Sequence, residues 1–169
     1  PRPKQKVANR RGGQRGFGDD PVTGIALRGS IPVVVFRKMS RDRAQDWLAQ
    51  ARNDLEWGCA SLESGFFSQA CFIAQQVAEK ALKAVAYHRG AELVKGHSVY
   101  AVCRELGLNG DLEERARLLD QFYIPTRYPD AQPVGAPFQY FSRNQAEQAM
   151  DYARSFVTMA GKETGDTGA

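Results

Sequence analysis

From residue 40 onward the apolar positions recur with a helical period along almost the whole chain. A first helix, about 41–63, sets Ala44, Trp47, Leu48, Ala51, Leu55, Cys59 and Leu62 on one stripe and keeps Arg43, Asp46, Arg52 and Glu56 mostly off it. Ser64-Gly65 then breaks the pattern. A second helix, about 66–89, buries Phe67, Ala70, Cys71, Ala74, Val77, Ala78, Ala81, Leu82 and Val85 and stops at Gly90. Its many alanines permit close helix approach. A third, shorter helix follows His97 with Val99, Val102, Cys103 and Leu106 inward, and Gly107 closes it. The fourth runs about 111–123 through Leu112, Ala116, Leu119 and Phe122 before Pro125, which lacks an N–H, stops it. The last has the clearest start: Ser142 and Gln145 form an S-x-x-Q capping box, followed by Ala146, Ala149, Tyr152, Ala153, Phe156, Val157 and Ala160 at helical spacing. Gly161 is its expected end, and residues 162–169 are expected to fray.

These periods predict an all-α fold, an antiparallel up-and-down bundle of four to five helices over residues 39–161 in which short connections make successive helices neighbours. One connection is long. Residues 125–141 contain Pro125, Pro129, Pro133 and Pro137, and a loop of that length in a compact domain is usually functional. Ahead of the bundle, Ile31 to Phe36 is strand-like, but a lone strand needs a partner. Met39-Ser40 reads as a start and a helix N-cap, so residues 1–38 are set aside as a basic, weakly structured tail, upstream or appended.

Charge sharpens that division. Residues 1–38 hold nine Lys or Arg against Asp19 and Asp20, a balance of +7, while 39–169 hold 14 basic and 17 acidic residues, a balance of −3. The basic character of the chain therefore sits in the tail, and the bundle is not a basic nucleic-acid platform. At 169 residues the chain suits one domain with a real core and no staples. Cys59, Cys71 and Cys103 are odd in number and widely spaced, which supports neither a disulfide framework nor a CxxC metal site and fits a reducing cytoplasm. No run approaches the length of a membrane span. No glycine-rich phosphate loop, H-E-x-x-H or G-x-S-x-G is present, so no metal or cofactor is expected.

Two stretches carry candidate chemistry. On the second helix Lys80 and Lys83 lie three apart, with Gln76 one turn before and Tyr87 about one turn after, so the four can share a surface. The competing reading is a solvated face with Glu79 and Lys83 as an i,i+4 pair. In Thr126-Arg127-Tyr128-Pro129-Asp130, flanking prolines restrict the backbone, Arg127 presents a planar donor fork and Tyr128 offers a face on which a base can stack. Arg127 folding over the lysines would make a phosphate pocket. Alternatively Asp130 and Arg127 pair with each other and Tyr128 packs on the bundle. His97 is a helix-starting residue or, with Arg127, a weak catalytic candidate. Trp47 and Trp57 are about 80° apart on the first helix, so one belongs to the core and the other to an interface.

The order of R-x-D-L (Arg52, Asp54, Leu55), Glu63 to Phe66, the Gln75-Gln76-Val77-Ala78-Glu79-Lys80-Ala81-Leu82-Lys83 string, Gly96-His97-Ser98 and Thr126 to Asp130 resembles the HEPN family over about residues 40–160. The resemblance implies a helical bundle that dimerises, binds a nucleotide or RNA, and works with a separately encoded minimal nucleotidyltransferase, often as a toxin and antitoxin pair. Joined to the chemistry of the two stretches above, it makes Lys80, Lys83, Gln76, Arg127, Tyr128 and Asp130 the candidate ligand-binding residues. Ribonuclease members carry Arg followed after four to six residues by His. Here the corresponding places after Arg127 are Gln132, Pro133 and Val134, so the usual nuclease motif is absent and the chain resembles the T-R-Y-P-D branch. A metal-independent ribonuclease built from Arg127 and His97, and a non-catalytic interaction module, are the alternatives.

Overall fold

A computed structural model describes residues 33–166, with side chains described from residue 41. Residues 1–32 of the expected tail and the last residues, 167–169, lie outside the described residues. Within them the chain is all helical: α1 (Val33–Glu63), α2 (Phe67–His88), α3 (Val99–Glu105), α4 (Asp111–Asp120) and α5 (Arg143–Thr164), with two 3₁₀ turns at Pro129–Ala131 and Pro137–Gln139.

Two boundaries differ from expectation at the N-terminal end. Val33 to Phe36, read as strand-like, belongs to α1, and Ser40 lies inside that helix and not at its cap. β-branched residues lose only a few tenths of a kcal/mol in a helix, about the cost that continuity with a following helix overrides, and no strand stands ready to pair among the described residues. The C-terminal boundary moves as well. Gly161 is a packing residue and not a terminator: a Cβ there would lie 2.7 Å from the Asp166 carbonyl and 3.3 Å from an Arg52 amino group. The helix runs on to Thr164 and ends at Gly165, whose φ of +74° suits a residue without Cβ. Arg52 Nη1 then donates to the Asp166 carboxylate at 3.0 Å, fastening the C-terminal end to α1.

α2 is the central element. It packs along α1 on one flank and α5 on another and also touches α3 and α4, so it is buried on nearly all sides. The core gathers around it: Leu48 and Ala51 from α1, Ile73, Val77, Leu82 and Val85 from α2, Leu119 from α4, and Met150 and Phe156 from α5. Truncating the fully buried Phe156 to Ala would cost about 3–5 kcal/mol by transfer and cavity terms. Trp47 packs partly against this core, and Trp57 is 60% exposed.

The smaller helices are held by their caps. Ser98 Oγ accepts from Ala101 N at 3.0 Å, and the Asp120 carboxylate at the end of α4 accepts from Val99 N and Tyr100 N at 2.8 and 3.0 Å. Free N–H groups at the start of α3 are thus satisfied by a negative charge, which also suits the helix dipole. The expected capping box of Ser142 and Gln145 opens α5. α4 ends at Asp120, short of the predicted 123, but turns continue through residues 121–127, with Arg127 N bonded to Ile124 O at 3.1 Å. That winding matters for the site, because it places Arg127 one turn beyond Tyr123.

Candidate phosphate-binding site

α2 sets one side of the site with an inner row of polar residues four apart. Gln75 is fully buried, and Glu79 and Lys83 are only 4% and 7% exposed. A buried charge costs several kcal/mol unless it is paired, and here each has a partner. Lys83 Nζ donates to Glu79 Oε1 at 2.7 Å and sits 5.1 Å above the Trp47 ring, which in turn stacks on Tyr87. Gln75 Nε2 donates to the His97 carbonyl at 2.6 Å, while its own oxygen accepts from Gln76 Nε2. Gln76 Nε2 also reaches Glu79 Oε2 at 3.2 Å. Lys80, facing α1, is ion-paired with Asp54, whose other oxygen accepts from Gln50 at 2.7 Å.

Both lysines proposed from spacing are therefore neutralised by carboxylates. The predicted Glu79–Lys83 pair exists, yet it is buried and not solvated. Glu79 also organises His97. The imidazole Nδ1 lies 3.2 Å from Glu79 Oε1, and because a carboxylate only accepts, Nδ1 carries the hydrogen of that bond, on a side chain 60% exposed.

Arg127 has different surroundings. Its Nε donates to the Tyr123 carbonyl at 2.8 Å, and its guanidinium lies 4.3 Å from the Tyr123 ring centre, 4.7 Å from Phe72 and 5.0 Å from Tyr128. No carboxylate pairs with it among the described residues, and its two amino groups have no hydrogen-bond partner there. Asp130, the expected mate, is exposed and forms no ion pair with it. The loop is braced instead by Thr126 Oγ1, which donates to Phe122 O, and by Gln132 Nε2, which donates to Pro125 O at 2.9 Å. Tyr128 remains 48% exposed.

Tyr123 joins the two halves. Its ring carries Arg127 and stacks on His97 at 5.4 Å between centres, so the structure brings Arg127 and His97 to one aromatic ring. The spacing of Tyr123 and Arg127, i and i+4, held that signal. Phe72 had none in local sequence, and Asp54 stood out only as part of R-x-D-L, with nothing to show that helix packing brings it to Lys80. Lys80, Lys83 and Arg127 line neither of two hollows on the surface, one of about 790 Å³ along α5 and one of about 560 Å³ beside Arg89 and Leu93. Among the described residues no group of His, Cys, Asp and Glu is arranged to hold a metal ion, and no helix is long and apolar enough to cross a membrane.

An all-helical bundle with a stiffened arginine loop over its central helix defines a recognisable class. Residues 44–163 match the HEPN domain model, and the chain belongs to the HEPN family. TT1696 from Thermus thermophilus is similar at 42% identity and a TM-score of 0.69, covering 72% of this chain and 98% of its own. ST0689, an archaeal HEPN homologue, is similar at 33% identity with a TM-score of 0.62 over 72% and 98%. An HEPN domain protein from Thermotoga maritima is 35% identical, with a TM-score of 0.53 over 69% and 95%. No curated protein matches the chain.

Proposed function

We propose that this chain is a nucleotide- or RNA-phosphate-binding HEPN protein of the T-R-Y-P-D branch, acting in the cytoplasm as a homodimer with a minimal nucleotidyltransferase partner in a toxin and antitoxin pair. The observation that carries the binding reading is Arg127: a guanidinium without a carboxylate partner, set among three rings with both amino groups unspent. Those amino groups match the bidentate geometry of a phosphate, and the exposed Tyr128 ring beside them suits a stacked base. Lys80 and Lys83, spent on Asp54 and Glu79, are not direct ligands in this reading.

The test is a fluorescence titration with ATP, GTP and a short RNA, comparing the wild type with Arg127→Ala. Affinity for one of the three should fall about tenfold or more, in line with loss of charge-assisted bonds. Equal affinity combined with a lowered melting temperature would reduce the loop to a brace.

A second reading, a metal-independent ribonuclease, is favoured by one geometric fact: His97 and Arg127 share the Tyr123 ring although they stand in non-standard order. Glu79 fixes the His97 tautomer so that Nε2 can accept a proton from a ribose hydroxyl while Arg127 steadies the phosphate. That reading requires RNA cleavage in the presence of chelator that disappears in both His97→Ala and Arg127→Ala.

A further inference from the structure

Away from the residues assigned so far, α3 and α4 bring two arginines onto one tyrosine. Arg104 Nη1 lies 3.4 Å and Arg117 Nη2 3.3 Å from the Tyr100 hydroxyl oxygen. Both guanidinium groups also sit over the same ring, at 6.0 and 4.7 Å from its centre. Two cations held by one phenol need an explanation, since like charges in proximity repel and the ring face offsets only about 1 kcal/mol at an exposed site.

A donor count supplies one. A phenol oxygen has two lone pairs and one hydrogen, and an arginine has five N–H groups. Both lone pairs of Tyr100 are occupied by the arginines, so its own O–H points elsewhere, toward no acceptor among the described residues. Each guanidinium spends one N–H on Tyr100 and has no further hydrogen bond there. Acids lie nearby: Glu113 is 3.8 Å from Arg117, close enough for charge but too far for a hydrogen bond, Glu114 shares a hollow with both, and Asp120 accepts from the Tyr100 backbone N–H. Bonding to the Tyr100 oxygen, together with the negative charge of Glu113, raises the Arg104 guanidinium above its ordinary value. The remaining N–H groups of both arginines and the Tyr100 O–H are thus donors that no hydrogen-bond acceptor takes up among the described residues.

We infer that Tyr100, Arg104 and Arg117 form an oxyanion site that takes a phosphate group, distinct in its residues from the Arg127 loop. A tetrahedral oxyanion can accept from three directions at once and bridge both arginines, whereas a planar carboxylate has only two oxygens to offer. The group can come from a nucleic-acid backbone diester or from free phosphate.

The experiment uses the full chain at 50 mM NaCl and two probes, inorganic phosphate and a labelled ten-residue oligouridine. Wild type is compared with Tyr100→Phe, which removes the O–H alone, and with the double variant Arg104→Gln/Arg117→Gln. Circular dichroism melting confirms that each folds, and Arg117→Gln alone takes the place of the double variant if that one does not. The double variant should weaken at least one probe about tenfold and Tyr100→Phe about threefold or more for the same probe. An effect confined to oligouridine assigns the backbone diester, and an effect on inorganic phosphate assigns the free anion. Less than a threefold change with both probes, or no binding of either by the wild type, overturns the inference. Arg127→Ala measured in parallel keeps the two sites apart, because its effect on the nucleotide probes is independent of whether Arg104 and Arg117 matter.

Discussion

The inner row of α2 and the loop from Pro125 to Phe141 both carry cations in sequence, but they treat them in opposite ways. Lys83 is sunk to 7% exposure and matched by Glu79, and Lys80 is matched by Asp54. Arg127 is held half-buried by aromatic faces and matched by no carboxylate among the described residues. A helix flanked on several sides cannot leave a charge open, because desolvation demands a counterion within the same shell. A loop wound over rings can. Availability for a ligand is therefore set by what the neighbouring elements bring, and positive charge on its own predicts little.

The strongest test of that contrast is Glu79→Ala. It leaves the Lys83 ammonium buried without its carboxylate and removes the partner of His97 Nδ1, so stability should fall by about 3–5 kcal/mol in urea or thermal unfolding. A loss below about 1 kcal/mol would mean that the row tolerates open charge after all, and the comparison would collapse. Glu79→Leu combined with Lys83→Met should recover much of the loss, since replacing a whole buried pair by apolar groups is often near neutral.

The same burial acts on a group with no counterion. Cys71 is fully buried on α2, and desolvation pushes its thiol from 9.0 up to about 12. Above pH 9 the unfolded chain releases this proton while the folded chain keeps it, so the unfolded state binds fewer protons and stability must fall as pH rises. The contribution is full below about pH 9 and declines toward pH 12, with a slope of up to about 1.4 kcal/mol per pH unit. Burial raises Cys103 too and adds in the same direction. Unfolding free energies measured from about pH 8 to about pH 10.5 should show a shallower decline in Cys71→Ala than in wild type. Identical slopes would show that the α2 interior does not resist charge at this position.

Much of the bundle was legible in the chain because amphipathic period and caps are local. The stripe on α1 and the Ser142 box stand where the residues imply, while the cap of α3 is Ser98, one residue beyond the expected His97. What failed to be legible depends on partners distant in sequence. Gly161 looks like a terminator until Arg52 and Asp166 close around it. The face of Gln76, Lys80 and Lys83 looks open until α1 brings Asp54 and Trp47 against it. Arg127 was singled out from its stiff setting, but the supporting rings from Phe72 and Tyr123 required knowing that the turns after α4 carry on past Pro125.

For the loop, Arg127→Ala sharpens the comparison by separating stability from binding. Loss of the guanidinium from three rings and of one hydrogen bond should cost only about 1–2 kcal/mol in unfolding, well below Glu79→Ala, while affinity for the phosphate-bearing probe falls about tenfold. Arg127→Lys keeps the charge but gives up the planar fork, and should retain less than half of the binding free energy that Arg127 adds. If Arg127→Ala instead destabilised the fold as much as Glu79→Ala, the loop arginine would belong with the buried pairs.

The smallest effect is expected at Asp130. It is the one carboxylate inside the T-R-Y-P-D run, and an exposed group without an ion pair in the structure contributes little to folding. Asp130→Asn should therefore change unfolding free energy by no more than about 0.5 kcal/mol. Its effect on ligand is more telling than its size suggests. An acid that served as counterion to Arg127 would, on removal, free the guanidinium and tighten phosphate binding several-fold even at about 200 mM NaCl. A mere nearby surface charge gives at most about a twofold gain, present at about 50 mM NaCl and screened away at about 200 mM. The second pattern is expected, because the structure already shows Arg127 without a carboxylate to lose.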